Sequence, residues 1–252
     1  MGSVAAIVNQ KGGVGKTTVT LGLTSAAMAA GKRVLVVDLD PQGSSTWILG
    51  HDPNQVVCST AEVLHDASAA EAILASSWSD RIHLLPSSNR LQPRDTATHA
   101  DRLAEALAEV RARYHAVLLD CPPSLGSLTL NGLTAADHAV IVVELSALSL
   151  RGIGAVADVV DEVWDAHNPR LDLAGVIVNR VPAVSGEADR RLDELARIVG
   201  RSAIWEPFVP QRVIINQAVG ERRPIHSYGA RAGDVPVVFD QLWRRLRKVL
   251  KR

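Results

Sequence analysis

At 252 residues, 47% apolar and 21% charged, the chain has the composition of an ordinary globular protein and the length for one substantial core. No apolar run reaches the roughly 18 residues of a membrane-spanning helix, and the strand-like opening lacks the charged leader of an export or transit signal. Formal charge is zero, yet residues 201–252 carry eleven Arg and Lys against four acids, a balance of +7 that leaves −7 on the remainder; this suggests a region facing nucleic acid or an anionic membrane, or else a solvated basic face.

Val4–Val8 predicts the first strand, Gln10–Gly15 a glycine-rich turn, and Lys16–Ala30 a helix that Gly31 ends as a C-cap. Gly12, Gly13 and Gly15 lack Cβ atoms, so the backbone can curl and aim successive N–H groups at one anion, helped by the positive end of the helix that follows. A strand, such a turn, Gly15-Lys16-Thr17-Thr18 and a helix form the context of a phosphate loop. Lys16 is then expected on the β- and γ-phosphates and the Thr17 hydroxyl on magnesium.

Val34–Val37 predicts a second buried strand that closes on Asp38 and Asp40. Ligands of open parallel sheets sit beyond the carboxyl ends of the strands, which brings both aspartates toward the phosphate loop. Ile82–Leu85 is the next strand, followed by a helical pattern over Thr98–Ala112. Ala116–Leu119 is a strand ending on Asp120, the acid expected to hold magnesium through water. Strands Ala139–Val143 and Ala174–Val178 alternate with helices Leu150–Trp164 and Glu187–Val199. Apolar strands alternating with helices predict an α/β fold: one domain over residues 1–252, an open, mostly parallel sheet with helices on both faces. Cys58 and Cys121 are far apart and lack metal spacing, which fits a reducing cytosol.

The loop departs from the general phosphate-loop pattern at its first position, where Gln10 replaces glycine, and Lys11 adds a second lysine in front. In this form Gln10-Lys11-Gly12-Gly13-Val14-Gly15-Lys16-Thr17-Thr18 resembles the deviant Walker A box of the ParA/MinD ATPases. Asp38-Leu39-Asp40-Pro41-Gln42, Asp120-Cys121-Pro122-Pro123-Ser124-Leu125-Gly126 and the stretch Leu128–Asp137 resemble the same family's switch segments. The resemblance implies an ATP-sandwich homodimer in which Lys11 reaches the partner's phosphates. It implies that Asp40 positions the attacking water, so that Thr17, Asp40 and Asp120 surround the magnesium. Asn179 and the turn Pro210-Gln211-Arg212 stand where the family contacts adenine, with Gln211 in place of an arginine.

Three functions are open to such a chain. A ParA-like partition or cargo-positioning ATPase would bind double-stranded DNA through phosphates, with Arg180, Arg212, Arg222, Arg223 and Arg231 as candidates. The chain opens at its first strand, so no helix-turn-helix extension for reading operators is expected. A ParB-like or other adaptor would stimulate slow hydrolysis, and the protein would be cytoplasmic and nucleoid-associated. A MinD-like membrane ATPase would instead use the stripe Phe239, Leu242, Trp243, Leu246, Val249 and Leu250, with basic residues around it; packing of that stripe on the core is the favoured reading. A metabolic ligase or iron–sulfur enzyme of the same superfamily is the third; Cys121 alone cannot supply a cluster's ligands.

Overall fold

Runs of Val, Ile, Leu and Ala with no polar position can be accommodated only where both faces of a strand are covered. The computed structural model describes residues 2–91 and 100–251, with the backbone alone for Leu148 and Arg151. It puts those runs in an eight-stranded sheet. The strands are β1 (Ser3–Val8), β2 (Val34–Asp38), β3 (Leu74–Ala75), β4 (Ile82–Leu85), β5 (Ala116–Asp120), β6 (His138–Glu144), β7 (Asp172–Asn179) and β8 (Ile204–Trp205). Their order is β3-β4-β2-β5-β1-β6-β7-β8, parallel throughout except for β3 against β4.

Alternate residues of one strand feed two separate cores. Val4, Ala6 and Val8 of β1 pack with α3 (Thr60–His65), α5 (Arg102–Ala108), α6 (Ser127–Ala135), α7 (Ala147–Ala166) and α8 (Gly186–Val199). Ala5 and Ile7 face α1 (Lys16–Ala29), α9 (Val213–Gly220) and α10 (Val235–Val249) on the other side. Gly31 follows α1 with φ 68°, and its N–H bonds the Met28 carbonyl, so the expected helix stop is made by the residue that tolerates that backbone.

The amphipathic stripe of α10 is absorbed by this second core. Phe239, Leu242, Trp243 and Leu246 are each at most 2% exposed, and a Cβ at Gly22 of α1 would overlap the Phe239 ring. The close approach of α1 and α10 requires glycine there. Among the described residues no helix is long and apolar enough to cross a membrane.

The six expected strands are present, β4 as expected and the others extending past the expected bounds, β1, β2 and β5 by one residue. The two-residue edge strands β3 and β8, and the short helices α2 (Ser44–Ile48), α3, α4 (Ala69–Ala72), α6 and α9, are additions to the sequence reading. The helix expected over Thr98–Ala112 is narrower: its first two positions lie outside the described residues, α5 covers Arg102–Ala108, and a tight turn at Arg111–Arg113 follows. The one expected from Leu150 begins at Ala147, because Ser146 caps it by accepting from the Ser149 N–H.

Candidate functional site

Parallel pairing aligns the ends of the three central strands. Asp120 of β5 lies opposite Asp38 of β2 on one side and Ile7 of β1 on the other, so both acids emerge beside the loop that leaves β1. In that loop Gly13 and Gly15 adopt φ 82° and 91°, backbone that only glycine adopts without strain. A Cβ at Gly15 would overlap the side-chain amide of Asn179, which donates to the Val14 carbonyl at 2.7 Å. Asn179, the residue expected at the adenine, props the phosphate loop from the end of β7 through this bond and also lines the cleft beside it.

Lys16 is 93% buried, and its ammonium lies 3.4 Å from the Lys11 carbonyl, pointing back along the loop. Burial lowers its pKa, against the opposing fields of Asp120, Cys121 and Asp40. One oxygen of Asp120, Oδ2, accepts from the Thr17 hydroxyl and from the Ser45 hydroxyl, each at 2.7 Å. Its other oxygen, Oδ1, is buried and has no hydrogen-bond partner among the described residues. Such an orphan costs free energy unless something fills its coordination, and a hard cation does so.

Asp38 is buried as well. Its Oδ2 accepts from the Thr46 N–H and hydroxyl, both at 2.7 Å, and its Oδ1 from the Asp40 N–H at 3.1 Å. Burial first, and then the charge of Asp120, push its pKa up; burial also raises that of Asp120 against the Ser45 and Thr17 hydroxyls. Two carboxylates this close resist joint ionisation, which a divalent cation relieves. No group of three His, Cys, Asp or Glu able to hold a metal exists among the described residues. A cation here would thus complete its shell with waters and ligand phosphate oxygens, as magnesium does. The residues fit that ion: Thr17 and Asp120 as its protein partners, with the charge of Asp40 close enough to act on both Asp120 and Lys16.

Asp40 stands on the turn after β2. Its Oδ1 accepts from the Gln42 N–H at 2.9 Å and its carbonyl from the Ser87 hydroxyl at 2.7 Å, so the carboxylate is aimed by its own backbone turn. Ser45 and Thr46, which bind the two buried acids, are site residues that the sequence reading missed. Their position within eight residues of a D-x-D strand end was the available signal.

Lys11 is held on its own chain. Its N–H donates to Asn9 Oδ1 at 2.8 Å, and its ammonium to the hydroxyls of Ser149 at 3.1 Å and Ser146 at 3.3 Å. Pro210 bridges to Val181, the Gln211 N–H donates to the Val181 carbonyl, and Arg212 leads into α9. With Asn179, Arg180, Thr18, Ile215 and Asn216 these residues line a cleft beside the loop.

The five candidate DNA arginines divide. Arg180 pairs with Glu144 at 2.7 Å and lines the cleft with Arg212. Arg223 and Arg231 lie over the Tyr228 ring at 5.0 and 5.8 Å, and Arg222 over the Trp47 ring at 5.1 Å.

The family model described as an AAA domain matches residues 2–173. The sporulation initiation inhibitor protein Soj of Bacillus subtilis is 32% identical over 245 residues, covering 95% of this chain and 96% of Soj. The chromosome partitioning protein ParA of Caulobacter vibrioides is 30% identical over 257 residues, covering 99% and 94%. Among solved structures, cobyrinic acid a,c-diamide synthase of Mycobacterium smegmatis, with bound ADP and magnesium, superimposes with a TM-score of 0.83 at 30% identity, covering 100% of this chain and 96% of that one. A glycine loop with two lysines, two buried switch acids at adjacent strand ends and end-to-end similarity to Soj and ParA agree: the chain belongs to the ParA/MinD family of P-loop ATPases.

Proposed function

We propose that this protein is a one-domain, ParA-like magnesium-dependent ATPase that closes into an ATP-sandwich homodimer, binds double-stranded DNA without sequence preference and positions a chromosome, plasmid or other cargo on it. Hydrolysis is slow until a ParB-like or other adaptor stimulates it, and the protein works in the cytoplasm on the nucleoid. The observation that carries the reading is Lys11, a second lysine at the front of the loop in a chain that aligns end to end with Soj and ParA.

The side chains divide the work. The N–H groups of residues 12–18 and the Lys16 ammonium bind the phosphates, and Thr17 and Asp120 hold magnesium, which offsets phosphate charge when bound. Asp40 orients the attacking water from its fixed turn. Lys11 of each protomer adds a cation to the phosphates of the other. Arg212 and the Pro210–Gln211 turn flank the base. Arg180, Arg212, Arg222, Arg223 and Arg231 are the candidate phosphate contacts on DNA.

Burial of Phe239, Leu242, Trp243 and Leu246 weighs against a membrane-surface role, since these four of the six stripe residues already fill the core.

The test is sedimentation and DNA binding with a non-hydrolysable ATP analogue and magnesium. The expected result is a dimer that binds unrelated duplexes with equal affinity and a steep salt dependence. A dimer that ignores DNA but pellets with anionic liposomes would overturn the reading.

A further inference from the structure

Lys11 sits in a built socket. Asn9 fixes its backbone by accepting from its N–H while donating to the Val142 carbonyl at 2.6 Å. Gly152, on the second turn of α7, has Asn9 Oδ1 and Gln10 Oε1 within 4.0 Å of where a Cβ would be, so the front of the loop lies against this helix. The ammonium then reaches two hydroxyls, those of Ser146 and the fully buried Ser149, which are bonded to each other at 3.0 Å.

The chemistry of this socket is unusual for a cation. Ser146 is the N-cap of the 20-residue α7, so the ammonium docks at the positive end of a helix dipole. Its only protein partners among the described residues are neutral hydroxyls. The nearby acid in sequence, Glu144, is bonded to Arg180 instead. A lysine so placed is oriented without being strongly held.

We propose that Ser146 and Ser149 form a weak latch: positioning residues that park Lys11 on its own chain and set how readily it is surrendered to the phosphates of a second protomer. The inference rests on the proposed trans role of Lys11 and deepens it. Parking and trans contact are mutually exclusive for one ammonium, so each gain in parking free energy subtracts from dimer stability. With neutral partners at the positive helix end, the latch is shallow, and the concentration of nucleotide that drives dimerisation is correspondingly low.

The experiment is sedimentation of the full chain against increasing non-hydrolysable ATP analogue with magnesium, for four variants. Ser149→Ala removes one acceptor, and its midpoint is expected to fall. Ser146→Asp keeps a capping oxygen and gives the ammonium a carboxylate, so its midpoint is expected to rise. Each shift is about three- to tenfold, as for a hydrogen bond to a charged group partly exchanged with water. Ser149→Thr restores a hydroxyl and should return the midpoint to the wild-type value. Midpoints that move in the same direction for Ser149→Ala and Ser146→Asp, or that stay at wild type, overturn the latch. Lys11→Ala separates this from the parent reading: a Lys11→Ala protein that dimerises normally sinks the trans lysine, whereas one that stays monomeric beside unshifted serine variants sinks the latch alone.

Discussion

The carboxyl ends of β2 and β5 and the arginine segment 221–231 are both charged, yet they are held by different physics. Asp38 and Asp120 are fully buried, fixed by strand register, and bonded by hydroxyls and N–H groups from Thr17, Ser45 and Thr46. Arg222, Arg223 and Arg231 lie on aromatic faces at the surface, with a loose acid contact at 3.9 Å from Arg223 to Glu221. The first region buries carboxylates whose joint ionisation is disfavoured until a cation relieves it. The second keeps cations in water, where they cost little and remain available to a polyanion. Mutations should accordingly act on chemistry in the first and on affinity in the second.

The largest effect is expected from Lys16→Ala. It removes the buried cation at the loop, and calorimetry should find nucleotide binding weakened by about a hundredfold or more. Binding of wild-type strength would show that the buried end is structural. Asp40→Ala should come next. It leaves the loop and Asp120 intact but removes the carboxylate proposed to orient water, so single-turnover hydrolysis should fall about a hundredfold while the ATP-bound dimer accumulates. Normal hydrolysis in this variant refutes the water-positioning role.

A third change probes the core that carries the loop. Phe239→Ala opens a cavity where the ring meets Gly22 on α1, and should cost about 3–5 kcal/mol in denaturant unfolding. A loss below 1 kcal/mol would mean that α10 is not needed to hold α1. A fourth uses pH. In the folded chain burial raises the Asp38 pKa from 3.8 to about 8, so between these values the folded state binds the proton that the unfolded state has released. Stability of the magnesium-free protein should therefore fall as pH rises from about 4 to 8, and Asp38→Asn should flatten the slope. The same slope in wild type and in Asp38→Asn through that window would show Asp38 ionised in the fold.

What the sequence disclosed follows the same division. The strands, the phosphate loop, Asp38, Asp40 and Asp120 were legible because each rests on local pattern: apolar runs, glycines with a required backbone, acids closing a strand. Helix α3 carries a readable sign too, the capping box in which the Ser59 side chain accepts from a helix N–H and Glu62 reaches back. The docking of Lys11 on Ser146 and Ser149 was not legible, since it spans 135 and 138 residues of separation. Nor was the role of Asn179 as a prop, because its partner is a backbone carbonyl 165 residues away in sequence. The ring beneath Arg222 belongs to Trp47, which only folding brings near.

Trp47 joins the two regions and gives the smallest predicted effect. It follows Ser45 and Thr46, which bind Asp120 and Asp38, yet its own ring is 42% exposed and carries the Arg222 guanidinium. Arg222 is held at φ 56°, and its carbonyl accepts from the Trp78 indole at 2.9 Å, so its backbone stays in place without Trp47. Trp47→Ala should thus remove about 0.5–1 kcal/mol of exposed cation–π energy and little else from the fold. If Arg222 meets DNA from that platform, affinity of the analogue-bound dimer for duplex should drop about two- to fivefold as the guanidinium loses its orientation. Nucleotide affinity should hold, because Ser45 and Thr46 keep their bonds. Equal losses in both affinities would instead show that the surface arginine and the buried acids respond as one unit through this short helix.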